Sequence, residues 1–127
     1  MVLKLALLLL ALALSVAPVP SPQVAPTVAS GHYNEVKWQP PAGHTLTDKT
    51  ITYTVYRGNA PGMEGTVPVK QGMGCMLSYS RKPDGYCHWY DWSITHGKTY
   101  VYSAKTCYAA NPGSCSATVE AKPIVAK

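Results

Sequence analysis

Phenylalanine is absent from this chain, and charge is sparse: six acids and eleven Lys or Arg among 127 residues. Nine Tyr and three Trp carry the aromatic volume. Rings with a polar tip suit thin sheets, where the body is buried and the tip stays near water. No Cys-x-x-Cys occurs, and His32, His44, His88 and His96 stand in separate segments, no two at metal-ligand spacing. No metal and no cofactor is expected. The acids are dispersed, so no carboxylate pair stands out for glycoside chemistry, and the chain reads as a non-enzyme. No run of basic residues exceeds Arg81-Lys82, whereas a nucleic-acid footprint needs a clustered stripe, so no nucleic-acid partner is expected. Asn34, Asn59 and Asn111 all fail the Asn-x-Ser/Thr pattern, and there is no Arg-Gly-Asp. No helix-period segment follows the first residues, and eleven Pro with ten Gly argue for many turns.

What is present begins with a targeting pattern. Met1 to Ala17 has one early cation, Lys4, then Leu5 to Leu14 built only of Leu and Ala, then small residues. This is a secretory signal, with cleavage after Ala13 or Ser15. The alternative is an uncleaved anchor that tethers the chain to a membrane. Residues 18–25 open a Pro-rich spacer, with four Pro between Pro18 and Pro26, which is extended and semi-rigid. A single domain is expected over 26–124, with a tail at 125–127.

Within that domain the periodicity is two. Thr27-Val-Ala29 is a weak first strand that can start at Gln23. Asn34 to Trp38 alternates, with Val36 and Trp38 on one face and Glu35 and Lys37 on the other. Thr50 to Arg57 is β-branched or aromatic up to its last residue, with Ile51, Tyr53 and Val55 on one face. Thr66 to Lys70 reads as an edge strand because of Pro68, and Met76 to Ser80 as a short strand. Arg81-Lys-Pro-Asp-Gly85 is a turn. Strands follow at 86–92, 99–108 and 116–121, with a tight corner at His96-Gly97-Lys98 and a hairpin loop at 109–113. About seven short strands separated by turn signals indicate an all-β sandwich.

Several ordered pieces then resemble a fibronectin type III domain of the bacterial extracellular variety. They are Val36-Lys-Trp38-Gln-Pro-Pro, Tyr53-Thr-Val-Tyr-Arg-Gly58, Trp89-x-Asp91-x-x-Ile94-x-x-Gly97-x-x-Tyr100-x-Tyr102, and Asn111-x-Gly113-Ser114 followed by Val119-x-Ala121-x-Pro123. The resemblance implies a seven-stranded antiparallel immunoglobulin-like sandwich. It places Trp38, Tyr53 and Trp89 in the core. It makes Tyr100 the tyrosine of the corner, its hydroxyl reaching back to backbone near Ile94. Ile94 would plug the sandwich end, and Gly97 would permit the tight turn. Lys70 to Cys87 departs from the family by being longer and richer in Gly and Cys.

Four Cys in an exported chain imply two disulfides, with three pairings open. If Tyr100, Tyr102, Ala104 and Thr106 face inward, Cys107 faces outward with Cys115 across the hairpin. The preferred set is therefore Cys107–Cys115 and Cys75–Cys87, the latter closing a loop; Cys87–Cys107 is the rival. Cys87 and His88 would point to opposite faces of a strand, so they are a poor metal pair. On the same strand Tyr86, His88, Tyr90 and Trp92 share the side away from Trp89. Tyr90 and Trp92 are the candidate ligand-binding residues, expected at least partly exposed unless the N-terminal segment or a neighbouring strand covers them. The resulting expectation is a secreted, extracellular or periplasmic, non-catalytic module for protein interaction, adhesion or spacing. A carbohydrate-binding module is the alternative, and the partner is an unknown protein or a cell-surface polysaccharide.

Overall fold

The computed structural model describes residues 18–127 and forms nine strand segments. They are β1 (Gln23–Val24), β2 (Val28–Ala29), β3 (Asn34–Gln39), β4 (Ile51–Gly58), β5 (Lys70–Met73), β6 (Cys87–Asp91), β7 (Thr99–Tyr108), β8 (Val119–Glu120) and β9 (Ile124–Val125). The expected targeting segment, residues 1–17, lies outside the described residues. Among the described residues there is no helix, hence none long and apolar enough to cross a membrane.

Two antiparallel sheets result. In the first, β1 and β2 lie along one edge of β3, and β6 pairs with the other edge. In the second, the order is β5-β4-β7-β8, with β9 continuing along β7. Nine segments appear rather than seven because the first and last rows are each broken. β1 and β2 are separated by Ala25 to Thr27, and β8 and β9 by Ala121 to Pro123. Proline interrupts a ladder because it has no N–H to donate. The sheets take in both ends of the described residues more fully than the composition suggests. Gln23 pairs with Gln39 and Val24 with Trp38, Val125 pairs with Thr99, and Ala126 is buried.

The core lies between the sheets and follows from the alternation. β3 contributes Val36 and Trp38, β4 Ile51, Tyr53 and Val55, β7 Tyr102 and Ala104, and β6 Cys87. Trp38 and Tyr53 meet across the interior with ring centroids 5.3 Å apart. Full burial of such side chains contributes about 1.5–3 kcal/mol each. β7 also buries Val101 and Ser103 on its other side. There the loop after β4 folds back, and the Gly62 N–H donates to a Glu120 carboxylate oxygen at 2.9 Å.

Three strand expectations change. The strand predicted at 66–70 forms instead at Lys70–Met73, beyond Pro68. It carries a bulge: Tyr53 and Val55 oppose Met73 and Lys70, so one extra residue is inserted. Gly72 takes φ +63° there, a backbone state that side-chain-bearing residues resist. The strand predicted at 76–80 is a loop. After one ladder bond, from the His88 N–H to the Met76 carbonyl at 2.8 Å, the chain leaves the edge of β6 and crosses the outer face of the first sheet. The strand predicted at 116–121 is regular only at Val119–Glu120.

Candidate functional site

The register of β3 against β6 builds the site. Asn34 pairs with Asp91, Glu35 with Tyr90, Val36 with Trp89, Lys37 with His88 and Trp38 with Cys87. Side chains alternate across a strand, so Glu35, Lys37, His88 and Tyr90 share the outer face. Tyr33 and Trp92, one step beyond the last pair, meet there with centroids 4.8 Å apart.

Onto this face the 74–86 connection lays a cover. Cys75 is bonded to Cys87 at the start of β6, with Cα atoms 4.8 Å apart, which anchors one end. Tyr79 then stacks flat on Tyr90, with centroids 3.9 Å apart and planes at 14°. Its backbone N–H donates to the Tyr90 hydroxyl at 3.1 Å, and its own hydroxyl accepts from Trp92 Nε1 at 3.2 Å. Tyr33 meets Tyr90 edge-on at 5.0 Å. At the far end of the cover, Asp84 Oδ1 meets His88 Nε2 at 2.9 Å. That hydrogen bond is the chief cause holding the Asp84 carboxyl below its ordinary range. His88, with both partner carboxylates nearby, is buried; Glu35 Oε1 lies 3.4 Å from its Nδ1.

The two candidate residues therefore separate. Trp92 is 57% exposed. Tyr90 is only 7% exposed, so of the two alternatives left open by the sequence it takes the covered one. Among the described residues its cover is Tyr79, from the 74–86 connection, with Tyr33 edge-on beside it. Burial raises its hydroxyl above the usual tyrosine range. Tyr79, itself 57% exposed, takes over as the outward ring. The face that results is a four-ring surface with Tyr79 and Trp92 outermost; Met76 and Leu77, earlier in the same connection, are also exposed.

The remaining named residues are structural. Trp38 and Tyr53 are fully buried, and burial pushes the Tyr53 hydroxyl up to about 12. Trp89 points inward, packs on the core and meets Tyr102 edge-on at 6.5 Å, but stays half-buried. Tyr100 accepts a hydrogen bond from the Thr95 N–H at 2.7 Å, and Gly97 turns the corner at φ +81°. Ile94 does not plug the end beneath it. It is half-buried and lies outside the core cluster. The Arg57 Nη1 donates to the Ser93 carbonyl at 3.0 Å, and its guanidinium lies over the Tyr100 ring at 5.4 Å. Cys107 and Cys115 form the second disulfide across the terminal hairpin, with Cα atoms 4.0 Å apart.

Sequence reasoning missed two groupings. One is a buried polar network. Asp91 Oδ2 accepts from the Tyr102 hydroxyl at 2.6 Å and from Arg57 Nη1 at 2.8 Å, Asp91 Oδ1 accepts from the Ser93 N–H at 3.0 Å, and Asn34 Nδ2 donates to the Tyr102 hydroxyl at 3.0 Å. Burial, then the Asp91 bond, pushes the Tyr102 hydroxyl far above the ordinary tyrosine range. The other is a carboxylate pair. Glu64 and Glu120 meet at an open cleft of about 660 Å³ lined also by Tyr56, Ser103 and Lys105. Burial, then Glu120, raises the Glu64 carboxyl, while Glu64 and the Gly62 N–H lower that of Glu120. Among the described residues no group of three or more His, Cys, Asp or Glu could hold a metal. Only the pairing of β4, β7 and β8 brings these acids together, so no local signal marks them.

No protein-family model matches the chain, and no curated protein sequence does. Among solved structures it is similar to the twitchin kinase region from C. elegans (Fn31-NL-kin-CRD-Ig26), with a TM-score of 0.53 and 18% identity. The match covers 86% of this chain and 17% of that one. At that identity the likeness concerns the fold, which is an immunoglobulin-like β-sandwich.

Proposed function

We propose that this chain is an exported, non-catalytic domain of fibronectin type III type that contacts a partner at the cell envelope through the outer face of its first sheet. One observation carries the reading: Tyr79 and Trp92 stand 57% exposed, fixed to each other and to Tyr33 and Tyr90 by stacking and hydrogen bonds. Fixed exposed rings lose little side-chain freedom on contact, and contiguous exposed apolar surface marks interaction sites.

The fold type is supported by the ordered motifs and by β5, which pairs with β4. In a constant-type immunoglobulin sandwich the corresponding strand joins the other sheet. Export is supported by the Met1–Ala17 pattern and by two disulfides, which persist in oxidising compartments. The test is site-specific photo-crosslinking in cells that make the full chain. A benzophenone amino acid replaces Trp92 or, as control, the exposed Val67 in the loop leading to β5. Adducts at position 92 and none at 67 are expected. No adduct at 92, or equal yields at both, overturns the proposal.

A further inference from the structure

The outer face has a shape and a charge that narrow the partner, given the reading above that this face is the contact surface. No space opens between its rings: Tyr33 and Trp92 lie 4.8 Å apart and Tyr79 and Tyr90 3.9 Å. A cage for a quaternary ammonium needs a gap between ring faces, so that ligand class does not fit. Tyr79 lies parallel to Tyr90, with one face covered by its partner. With that face covered, the residue's 57% exposure leaves the rest of it open to contact. Trp92 stands beside it at 6.3 Å, inclined by 45°. An exposed ring with a tilted second ring at its side suits the apolar C–H face of a pyranose and its neighbour along a twisted polymer.

The charges around the platform differ in what they are paired with. The two acids of this region, Glu35 and Asp84, lie against His88 at 3.4 and 2.9 Å, with the Asp84 side chain still 42% exposed. The two cations beside Tyr79, Arg81 and Lys82, are exposed and form no ion pair among the described residues. Arg81 is also the one non-glycine residue with positive φ, +58°, among those described. A bulky residue resists that backbone state, and such outliers gather at functional sites. Its N–H donates to the Ser78 carbonyl at 2.8 Å, which holds the turn at the edge of the platform. The free charge at the rim is thus basic, complementary to an anionic polymer.

We infer that the occupant is a uronic-acid polysaccharide, its sugar rings stacked on Tyr79 and Trp92 and its carboxylates paired with Arg81 and Lys82. Arginine presents a planar donor fork that matches a carboxylate.

The test is affinity electrophoresis of the purified chain through gels holding polygalacturonate, dextran sulfate or a neutral β-glucan. The variants are Trp92→Ala, Tyr79→Ala, Arg81→Gly and Lys82→Gln. Arg81→Gly removes the charge while suiting the positive φ, so a folding defect does not confound it. Retention by polygalacturonate is expected, weakened about tenfold or more by either aromatic truncation, the scale of a lost anchor residue. Each charge variant should weaken it about threefold, and high salt should do the same. No retention by polygalacturonate, or retention indifferent to Trp92→Ala and Tyr79→Ala, overturns the inference; the latter result means ion exchange alone. Equal retention by the neutral glucan or tighter, ring-dependent retention by dextran sulfate overturns the uronate assignment. A cross-link at position 92 without polysaccharide retention removes this inference and leaves the contact face standing. Loss of both removes the contact face as well.

Discussion

Replacing Asp91 by Asn should destabilise the domain out of proportion to the one atom changed. Asp91 is 2% exposed and accepts three hydrogen bonds, two of them at Oδ2. With asparagine the amide oxygen can serve either Oδ position, and the amide nitrogen must face a donor at the other. If oxygen stays toward Tyr102 and Arg57, those two bonds lose their charge assistance, about 1 kcal/mol each, and the Ser93 N–H loses its acceptor. Arg57 is 27% exposed, so water relieves part of its loss. The deficit is about 2–3 kcal/mol, below the value for a fully buried broken pair. For a domain of this size that lowers Tm by roughly 10–20 °C. Urea unfolding with the disulfides intact should show a lower midpoint at unchanged slope. Arg57→Gln and the double variant complete the cycle, with an expected coupling of about 1 kcal/mol or more. An Asp91→Asn cost under about 0.5 kcal/mol, or additive single changes, refutes the reasoning.

Tyr100→Phe removes the acceptor for the Thr95 N–H and should cost about 1 kcal/mol in the same urea assay. Cys75→Ser with Cys87→Ser opens a loop of 12 residues, and the chain-entropy model puts the loss at about 3 kcal/mol. Limited proteolysis should then cut first between Met76 and Tyr86, where the cover loses its anchor. Alkaline unfolding should begin above pH 10. Tyr53 is raised by burial from 10.0 to about 12, so its stabilisation is full below pH 10 and is lost as pH rises to 12; Tyr53→Leu should make that limb shallower, the remainder belonging to Tyr102, which burial raises further. At the acid end, Asp48 is lowered from 3.8 to about 2, chiefly by its hydrogen bond from Thr50. Its contribution is present above pH 3.8 and disappears as pH falls to 2, which Asp48→Asn should remove from the pH profile.

Period-two alternation sufficed to place β3, β4, β6 and β7, because a half-buried strand writes its two faces directly into the chain. It also put Cys87, Trp89 and Asp91 on the side of β6 opposite His88, Tyr90 and Trp92. That much is a property of one strand. The pairing of Tyr33 with Trp92 needed one further step, the antiparallel register of β3 on β6, for which the sequence carries the pattern but no marker. Tyr79 needed more. Its path is set by a disulfide and by a loop that leaves the sheet edge, neither of which has a period to read.

The sequence by itself therefore determined the fold class, the core rings Trp38 and Tyr53, and the residue types that could face outward. The tertiary structure alone decided which rings do so. Stacking is a contact between segments, so Tyr79 could cover Tyr90 and replace it at the surface without any local trace. The same holds for Asp91 beside Arg57 and Tyr102, and for Glu64 beside Glu120. Local pattern reports what a strand must bury, whereas burial of one side chain by a distant one depends on where the chain returns.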